Sequence, residues 1–260
     1  MPDSKPYTLL QKAWQYLEFL KNSKNRHGVH SPFVFDFIEN VLKKKPRINK
    51  AIESLRKSLQ NNQKFIHIMD LGMGKDRKRR ISNIATTSLK NNKEARLISR
   101  ILCYYQITKA IELGSSLGIT TAYMAVSNPE ITIDSIEGSE QILTVAQKNW
   151  EELGLTNITG HLGNFDDALP QLIQNNKKTL YFIDGNHHEQ ATIKYFEMII
   201  DQITEESIII FDDIHWSKSM ENAWQRIIKD QRVPLSIDLF EMGIVFYLPR
   251  LKKEHFILRY

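Results

Sequence analysis

Over the first hundred residues the apolar positions repeat with a helical period. Leu10, Trp14, Leu17 and Phe19–Leu20 predict a helix over 8 to 21, a second amphipathic stretch runs from Pro32 to Leu42, and a third helical pattern covers about 48 to 60. Pro32 suits a first helical turn, with Ser31 ahead of it as an N-cap. The third pattern ends in a turn-like Asn61-Asn-Gln before the apolar run Phe65–Met69. Between the first two helices, His27 and His30 flank Gly28 in a loop. Such a pair either binds a ligand or is only polar loop surface.

From residue 107 short β-rich runs alternate with helical patterns. Strands are predicted at 107 to 114, 131 to 137, 157 to 162, 179 to 184 and 207 to 213. Helices are predicted at 118 to 127, 139 to 153, 165 to 175, 189 to 203 and 217 to 230. Strands separated by helices of this length imply right-handed crossovers and a parallel, doubly wound sheet. The pattern closes differently: SIDLF and IVFYL, separated by Glu241-Met-Gly243, predict an antiparallel hairpin. There is no internal repeat.

Composition narrows the class without naming a function. The chain has 260 residues, 42% hydrophobic and 25% charged, which excludes disorder, collagen and a disulfide scaffold. The single cysteine, Cys103, has no partner for a disulfide or thiolate metal site and is expected to be a buried small hydrophobe. No apolar run approaches a bilayer span, and MPDSKPYTLLQKAW lacks the features of a signal peptide, so the expectation is a cytoplasmic protein without membrane contact. Charge is divided unevenly: residues 1 to 105 carry 22 Lys+Arg against 8 Asp+Glu, and 106 to 260 carry 13 against 22. This predicts a basic, mainly helical cap over 1–105 and a ligand-binding core over 106–260. The basic third is either a nucleic-acid surface or a solvated helical layer docked on the acidic core.

In an open α/β sheet, ligands bind beyond the carboxyl ends of the strands. After the first core strand stands Glu112-Leu-Gly114-Ser115-Ser-Leu-Gly118, leading into Ile119-Thr-Thr and a helix. Gly114 permits the tight turn and Gly118 a close approach of backbone to ligand. Glu137, ending the second strand, is the carboxylate expected at a ribose. A carboxylate at Glu112 would repel the pyrophosphate of a dinucleotide but suits the ammonium of a methionine moiety, which favours S-adenosylmethionine.

In order, ELGSSLGITT, SIEG, GNFDDALP, FIDGNHHE and FDDIHWS resemble the motifs of class I S-adenosylmethionine-dependent methyltransferases, nearest the catechol O-methyltransferase-like small-molecule enzymes. The resemblance covers about 95 to 250, and HGVHSPF also looks like a stretch of bacterial methyltransferases of this type. It implies that Glu112, Gly114, Ser115 and Gly118 surround the methionine end, Glu137 and Gly138 the ribose, and Gly163, Asn164, Phe165 and Asp166 the adenine. Asp184 would also touch the cofactor.

The same resemblance implies an Asp after the fourth core strand and an Asp-Asn pair after the fifth, holding a divalent cation. This chain offers Asp184, then Asp212-Asp213, as ligands for Mg2+ or another hard cation; the alternative is that these aspartates cap helices. His187 stands where the family places a lysine base, and imidazole can take a proton from a hydroxyl near neutral pH. His188 and His215 are alternatives. Trp150 and Trp224 fit a helical core, whereas Trp216 is expected to wall the acceptor pocket. Asp70-Leu-Gly72-Met-Gly74 mimics a nucleotide loop but continues into Lys75-Asp-Arg77-Lys-Arg-Arg80, so 64 to 80 is expected to be a cationic flap or loop near the cofactor rim.

Together these readings give a Rossmann-like, doubly wound, mostly parallel seven-stranded sheet with an antiparallel C-terminal hairpin, preceded by a helical N-terminal layer. The expected activity is methyl transfer to a hydroxyl of a small molecule, with Asp184 and His187 at the reaction centre and a homodimer as the partner state. An RNA methyltransferase and a non-catalytic cofactor-binding module stand as alternatives.

Overall fold

A capping box opens the first helix: Thr8 Oγ1 accepts the Gln11 N–H at 3.3 Å and Gln11 Oε1 accepts the Thr8 N–H at 2.9 Å. The structure, a computed structural model, describes residues 5–25, 28–45, 47–69, 76–173 and 178–260. The helices are α1 (Leu9–Asn22), α2 (Pro32–Phe37) with a π-helical turn (Ile38–Leu42), α3 (Lys50–Asn61), α4 (Ile81–Thr87) and α5 (Asn92–Tyr104). They continue with α6 (Ile119–Ala125), α7 (Glu140–Glu152), α8 (Phe165–Leu172), α9 (Glu189–Ile200) and α10 (Lys218–Lys229). The strands are β1 (Phe65–Met69), β2 (Asp76–Arg80), β3 (Lys109–Leu113), β4 (Thr132–Glu137) and β5 (Ile158–Leu162). They end with β6 (Thr179–Ile183), β7 (Ile208–Asp212), β8 (Leu235–Asp238), β9 (Met242–Phe246) and β10 (Glu254–Ile257).

Eight strands form the mostly parallel sheet, one more than the seven expected. The extra strand is β10, parallel to β8 at an edge. Its four residues begin at Glu254, the end of the charged Lys252-Lys-Glu run, and have too little alternation to announce a strand.

The chain divides into two compact units, and the division ignores the charge boundary at 105/106. One unit joins Met1–Leu42 to Ile173–Tyr260; the other is Lys43–Leu172. The first holds the strand order β10-β8-β9-β7-β6. Within it, β6 and β7 are parallel and wholly buried, as their unbroken apolar runs require. The closing hairpin β8–β9 is antiparallel as expected, but its turn lies two residues earlier than Glu241-Met-Gly243. Asp238 Oδ1 accepts the Phe240 N–H at 2.8 Å, and Phe240 takes the left-handed conformation at φ 75°. Gly243 sits inside β9 because a Cβ there would come within 2.7 Å of the Trp224 ring.

Aromatic contacts explain why the N-terminal residues belong to this unit. Tyr16 and Phe19 pack on Phe240, and Phe33 and Phe37 meet Phe246 edge-on. Pro32 starts α2 as expected, although the Ser31 hydroxyl makes no capping bond. The Leu10-Trp14-Leu17 stripe of α1 faces solvent; Leu10 is 84% exposed. His30 is exposed, while His27 lies outside the described residues.

The second unit holds the parallel order β3-β4-β5. Residues 64 to 80, expected to be a flap or loop, contain an antiparallel pair, β1 with β2. Ile66 and Ile68 pack against a core that includes Ile52, Ile84, Tyr123 and Trp150, which recruits the apolar-poor β2 by backbone pairing. Phe65 stays exposed between Lys78 and Arg80, each about one ring-face away at 5.2 and 5.0 Å. The Asp70–Lys75 stretch, with its Gly72 and Gly74, lies outside the described residues. Cys103, expected to be buried, is exposed, because Leu97, Ile98, Ile101 and Leu102 occupy the inner face of α5.

Candidate functional site

Two sets of residues at the carboxyl ends of the strands carry the candidate chemistry, one in each unit. In the second unit the chain leaves β3 through Gly114 at φ 104°, whose N–H donates to the Ile136 carbonyl at 2.9 Å. Ser116 follows at φ 47°, and its N–H donates to Glu137 Oε2 at 3.0 Å. Glu137 Oε1 accepts the Ser139 N–H at 3.1 Å. The carboxylate expected at a ribose therefore also ties the loop after β3 to the loop after β4.

Glu112 is wholly buried, 0% exposed, on β3. Its Oε2 accepts Thr121 Oγ1 and Ser135 Oγ, both at 2.5 Å, and Ser115 Oγ lies 2.6 Å from Ser135 Oγ. Its Oε1 has no hydrogen-bond partner among the described residues. Burial pushes the Glu112 carboxyl up to about 7, against the two hydroxyls that stabilise its charge, and the nearby Glu137 charge adds to the rise. An unfilled acceptor in so dry a place suits a cationic donor on a ligand. Thr121 and Ser135 were not singled out from the sequence. Ser135 is the register partner of Glu112, a relation that only the β3–β4 pairing reveals.

The glycines serve different purposes. Gly118 begins α6 at φ 77°, and a Cβ there would fall 2.3 Å from Trp150 Nε1, which donates to the Gly118 carbonyl at 2.9 Å. An indole of the protein itself thus accounts for this glycine. Gly138 and Gly163 instead open on space: no heavy atom lies within 4 Å of a built Cβ. Asn164 starts α8, its Oδ1 accepting the Asp166 N–H at 3.2 Å and its carbonyl the Ala168 N–H at 3.0 Å. Phe165 and Asp166 are half-buried beside it.

In the first unit, Asp184 follows β6 and opens the turn Asp184-Gly-Asn-His187, in which Asn186 takes φ 54° and donates from Nδ2 to Tyr195 Oη at 3.0 Å. This turn puts His187 Nε2 4.0 Å from Asp184 Oδ1 and 3.9 Å from Asp213 Oδ2. The Trp216 ring stands 5.6 Å from the imidazole, centroid to centroid. Asp213 is itself left-handed, at φ 53°.

The three aspartates do not form the expected metal set. Among the described residues no group of three His, Cys, Asp or Glu side chains could hold a metal ion. Asp212, the last residue of β7, is 3% exposed and withdrawn into the core, whereas Asp184 and Asp213 both approach His187 Nε2. The donors do not fit a divalent cation.

His215 is a different kind of histidine. Its Nε2 lies 2.8 Å from Asp238 Oδ2, its Nδ1 3.5 Å from Glu221 Oε1, and its ring stacks on Phe240 at 5.2 Å. Burial opposes its charge, but the two carboxylates prevail and push the imidazole up to about 9. It is charged at neutral pH and cannot accept a proton there. Tyr7 joins the same group, donating from Oη to Glu221 Oε2 at 2.8 Å and from its N–H to the Trp216 carbonyl at 2.9 Å. Sequence spacing gave no sign of Tyr7, Glu221 or Asp238. His188 is exposed at the start of α9 and makes no side-chain cap.

A parallel sheet with a glycine turn after β3 and an acidic residue ending β4 is an open α/β arrangement, the class in which ligands bind beyond the carboxyl ends of the strands. Residues 111–214 match the family model described as a methyltransferase domain. No curated protein matches the chain in sequence. Solved structures match it in fold. The O-methyltransferase TomG from Streptomyces achromogenes, involved in tomaymycin synthesis and solved with S-adenosylmethionine, is 12% identical over 78% of this chain and 92% of its own, with a TM-score of 0.58. The Podospora anserina methyltransferase PaMTH1, bound to S-adenosylhomocysteine, is 11% identical over 93% of this chain and 97% of its own, with a TM-score of 0.62. An O-methyltransferase from Bacillus cereus with S-adenosylhomocysteine is 15% identical over 88% and 99%, with a TM-score of 0.57.

Proposed function

We propose that this chain is an S-adenosylmethionine-dependent methyltransferase acting on a hydroxyl of a small molecule. The observation that carries the reading is Glu112, a fully buried carboxyl with one unpartnered oxygen at the foot of the glycine turn. The methyltransferase-domain match over 111–214 and the shared fold of the O-methyltransferases support it. Glu112 and the backbone from Gly114 to Gly118 would hold the methionine end, with Ser115 fixing the Ser135 hydroxyl that bonds Glu112. Glu137 beside Gly138 would take the ribose, and Gly163 to Asp166 the adenine.

The bound cofactor supplies a methyl group on a sulfonium, which makes the transfer a displacement that needs positioning and removal of one proton. His187 is the residue assigned to that proton: its Nε2 would take it from the acceptor hydroxyl. Asp184 and Asp213, both about 4 Å from that same Nε2, would stabilise the imidazolium that results. No step is routed through a metal.

Calorimetric titration with S-adenosylmethionine and S-adenosylhomocysteine, with and without Mg2+, tests the cofactor assignment. Binding by the wild type and its loss in Glu137→Ala are expected, with no Mg2+ dependence. Absence of binding under every condition would overturn the reading. His187→Ala should keep cofactor affinity while labelled-methyl transfer to simple phenols and catechols falls by about 100-fold or more, the usual scale for loss of a general base.

A further inference from the structure

α1 turns its apolar residues to water. Contacts within the first unit fix its inward side: Lys12 pairs with Glu241 at 3.2 Å, and the Tyr16 and Phe19 rings meet Phe240 at 4.9 and 5.3 Å between centroids. Leu10, Ala13, Trp14 and Leu17 follow the i, i+3, i+4, i+7 spacing of a single helix face, and that face is the opposite one. Leu9, Leu10, Trp14 and Leu17 are each more than half exposed. The outer face of a helix that only packs on its own protein is ordinarily polar. A continuous apolar stripe there marks a surface that meets something else.

Charge selects the occupant. Lys21 extends the stripe by one turn, and Lys24 and Arg259 are exposed at its C-terminal end, where Arg259 donates to the Leu20 carbonyl and to Ser23 Oγ, both at 2.8 Å. Lys5 is exposed ahead of the N-terminal end, and Glu18 is the one acid in the sequence of α1. The stripe is therefore bordered by cations at both ends. A second copy fits this poorly: antiparallel stripes centred on Trp14 would bring Lys21 of each copy towards the Lys5 end of the other, and parallel stripes would set Lys21 against Lys21. A bilayer surface carrying anionic lipid complements both ends at once. Its headgroup boundary also suits leucines flanked by an amphipathic Trp14 and long basic side chains, and a fluid surface needs no preformed groove for a protruding helix. Among the described residues no helix is long and apolar enough to cross a membrane, so α1 would lie along the surface.

We propose that α1 docks on an anionic lipid surface, with Leu10, Trp14 and Leu17 entering the headgroup boundary and Lys5, Lys21, Lys24 and Arg259 at the lipid phosphates. This replaces the expectation of no membrane contact. It does not rest on the methyl-transfer reading, since α1 carries no residue assigned to the cofactor or to proton transfer.

Flotation of the full chain is measured with vesicles of phosphatidylcholine mixed with phosphatidylglycerol and with vesicles of phosphatidylcholine alone, for wild type and for Leu10→Gln, Leu17→Gln. Wild type should float with the anionic vesicles, about tenfold or more weaker with the neutral ones, and less at high salt. The double variant should lose flotation while keeping its thermal midpoint, because both side chains are exposed. No flotation of the wild type, equal flotation of wild type and variant, or equal binding to both vesicles overturns the proposal. A wild-type dimer in light scattering without lipid that the double variant disperses assigns the stripe to a second copy and overturns it too. Should the double variant fail to fold, Lys21→Glu replaces it and should weaken anionic-vesicle binding about tenfold or more; unchanged binding refutes the site. S-adenosylhomocysteine titration of the same variants should give wild-type affinity, which separates this result from the cofactor assignment.

Discussion

Glu112 spends the pH range around 7 between two charge states, and that sets opposing demands on one side chain. As a carboxylate it is suited to a ligand cation; as a buried charge without one it works against the fold. Glu112→Gln keeps the shape and removes the charge. At pH 8 it should stabilise the cofactor-free protein by about 2–3 kcal/mol, the free energy carried by a carboxyl raised to about 7, while lowering S-adenosylhomocysteine affinity. Thermal melts and calorimetry on one preparation check both signs. The sequence shows Glu112, Gly114 and Glu137 because strand, loop and helix surround them within one stretch. It hides Thr121 and Ser135, whose bonds to Glu112 depend on a helix turn and on the β3–β4 register. The same limit applies to the histidines. Three stood within reach of Asp184 in the sequence, and only the fold distinguishes His187 from His215, whose partner Asp238 lies on a different strand.

At the scale of elements, the two glycines on either side of the candidate cofactor residues make opposite predictions. Gly118→Ala forces a Cβ into the Trp150 indole and a side chain into a left-handed position, so unfolding stability should fall by about 3 kcal/mol. Gly163→Ala meets nothing within 4 Å and should leave stability nearly unchanged while weakening cofactor binding. Denaturant melts paired with titration separate the two. The core strands were legible because β6 and β7 are largely apolar runs and β3 and β4 are short β-rich segments, all set between helical periods. The β1–β2 pair was not, since Asp76-Arg-Lys-Arg-Arg80 contains no apolar residue and becomes a strand only by pairing with Phe65–Met69. Propensity yields there to a tertiary partner. α5 had its signals in plain view, an Asn91 cap and the spacing Leu97, Ile98, Ile101, Leu102, though they lay outside the helical patterns singled out.

For the whole molecule, two raised pKa values act in the same direction. Glu112 contributes stability that is complete below its unfolded value of 4.5 and lost as pH rises through about 7. The contribution of His215 is complete below 6.5 and lost as pH rises through about 9. Glu53, Asp134 and Glu221 are held low by their partners and lose theirs on acidification. Stability should therefore peak at about pH 5–6 and decline towards pH 9, and the decline should flatten in a Glu112→Gln, His215→Gln double variant followed by thermal melts. The charge boundary of the sequence does not coincide with the compact units: aromatic contacts and the Lys24–Leu258 bridge join residues 1–42 to the C-terminal part of the chain. That assignment bears on synthesis. A ribosome completes Lys43–Leu172 before any of the first unit's strands has been translated, and at ordinary elongation rates the N-terminal segment waits roughly ten seconds or more for the surface it packs on. During that interval Phe19, Phe33 and Phe37 have no Phe240 or Phe246 to meet, which makes the nascent 1–42 segment, rather than the folded protein, the form most in need of a chaperone.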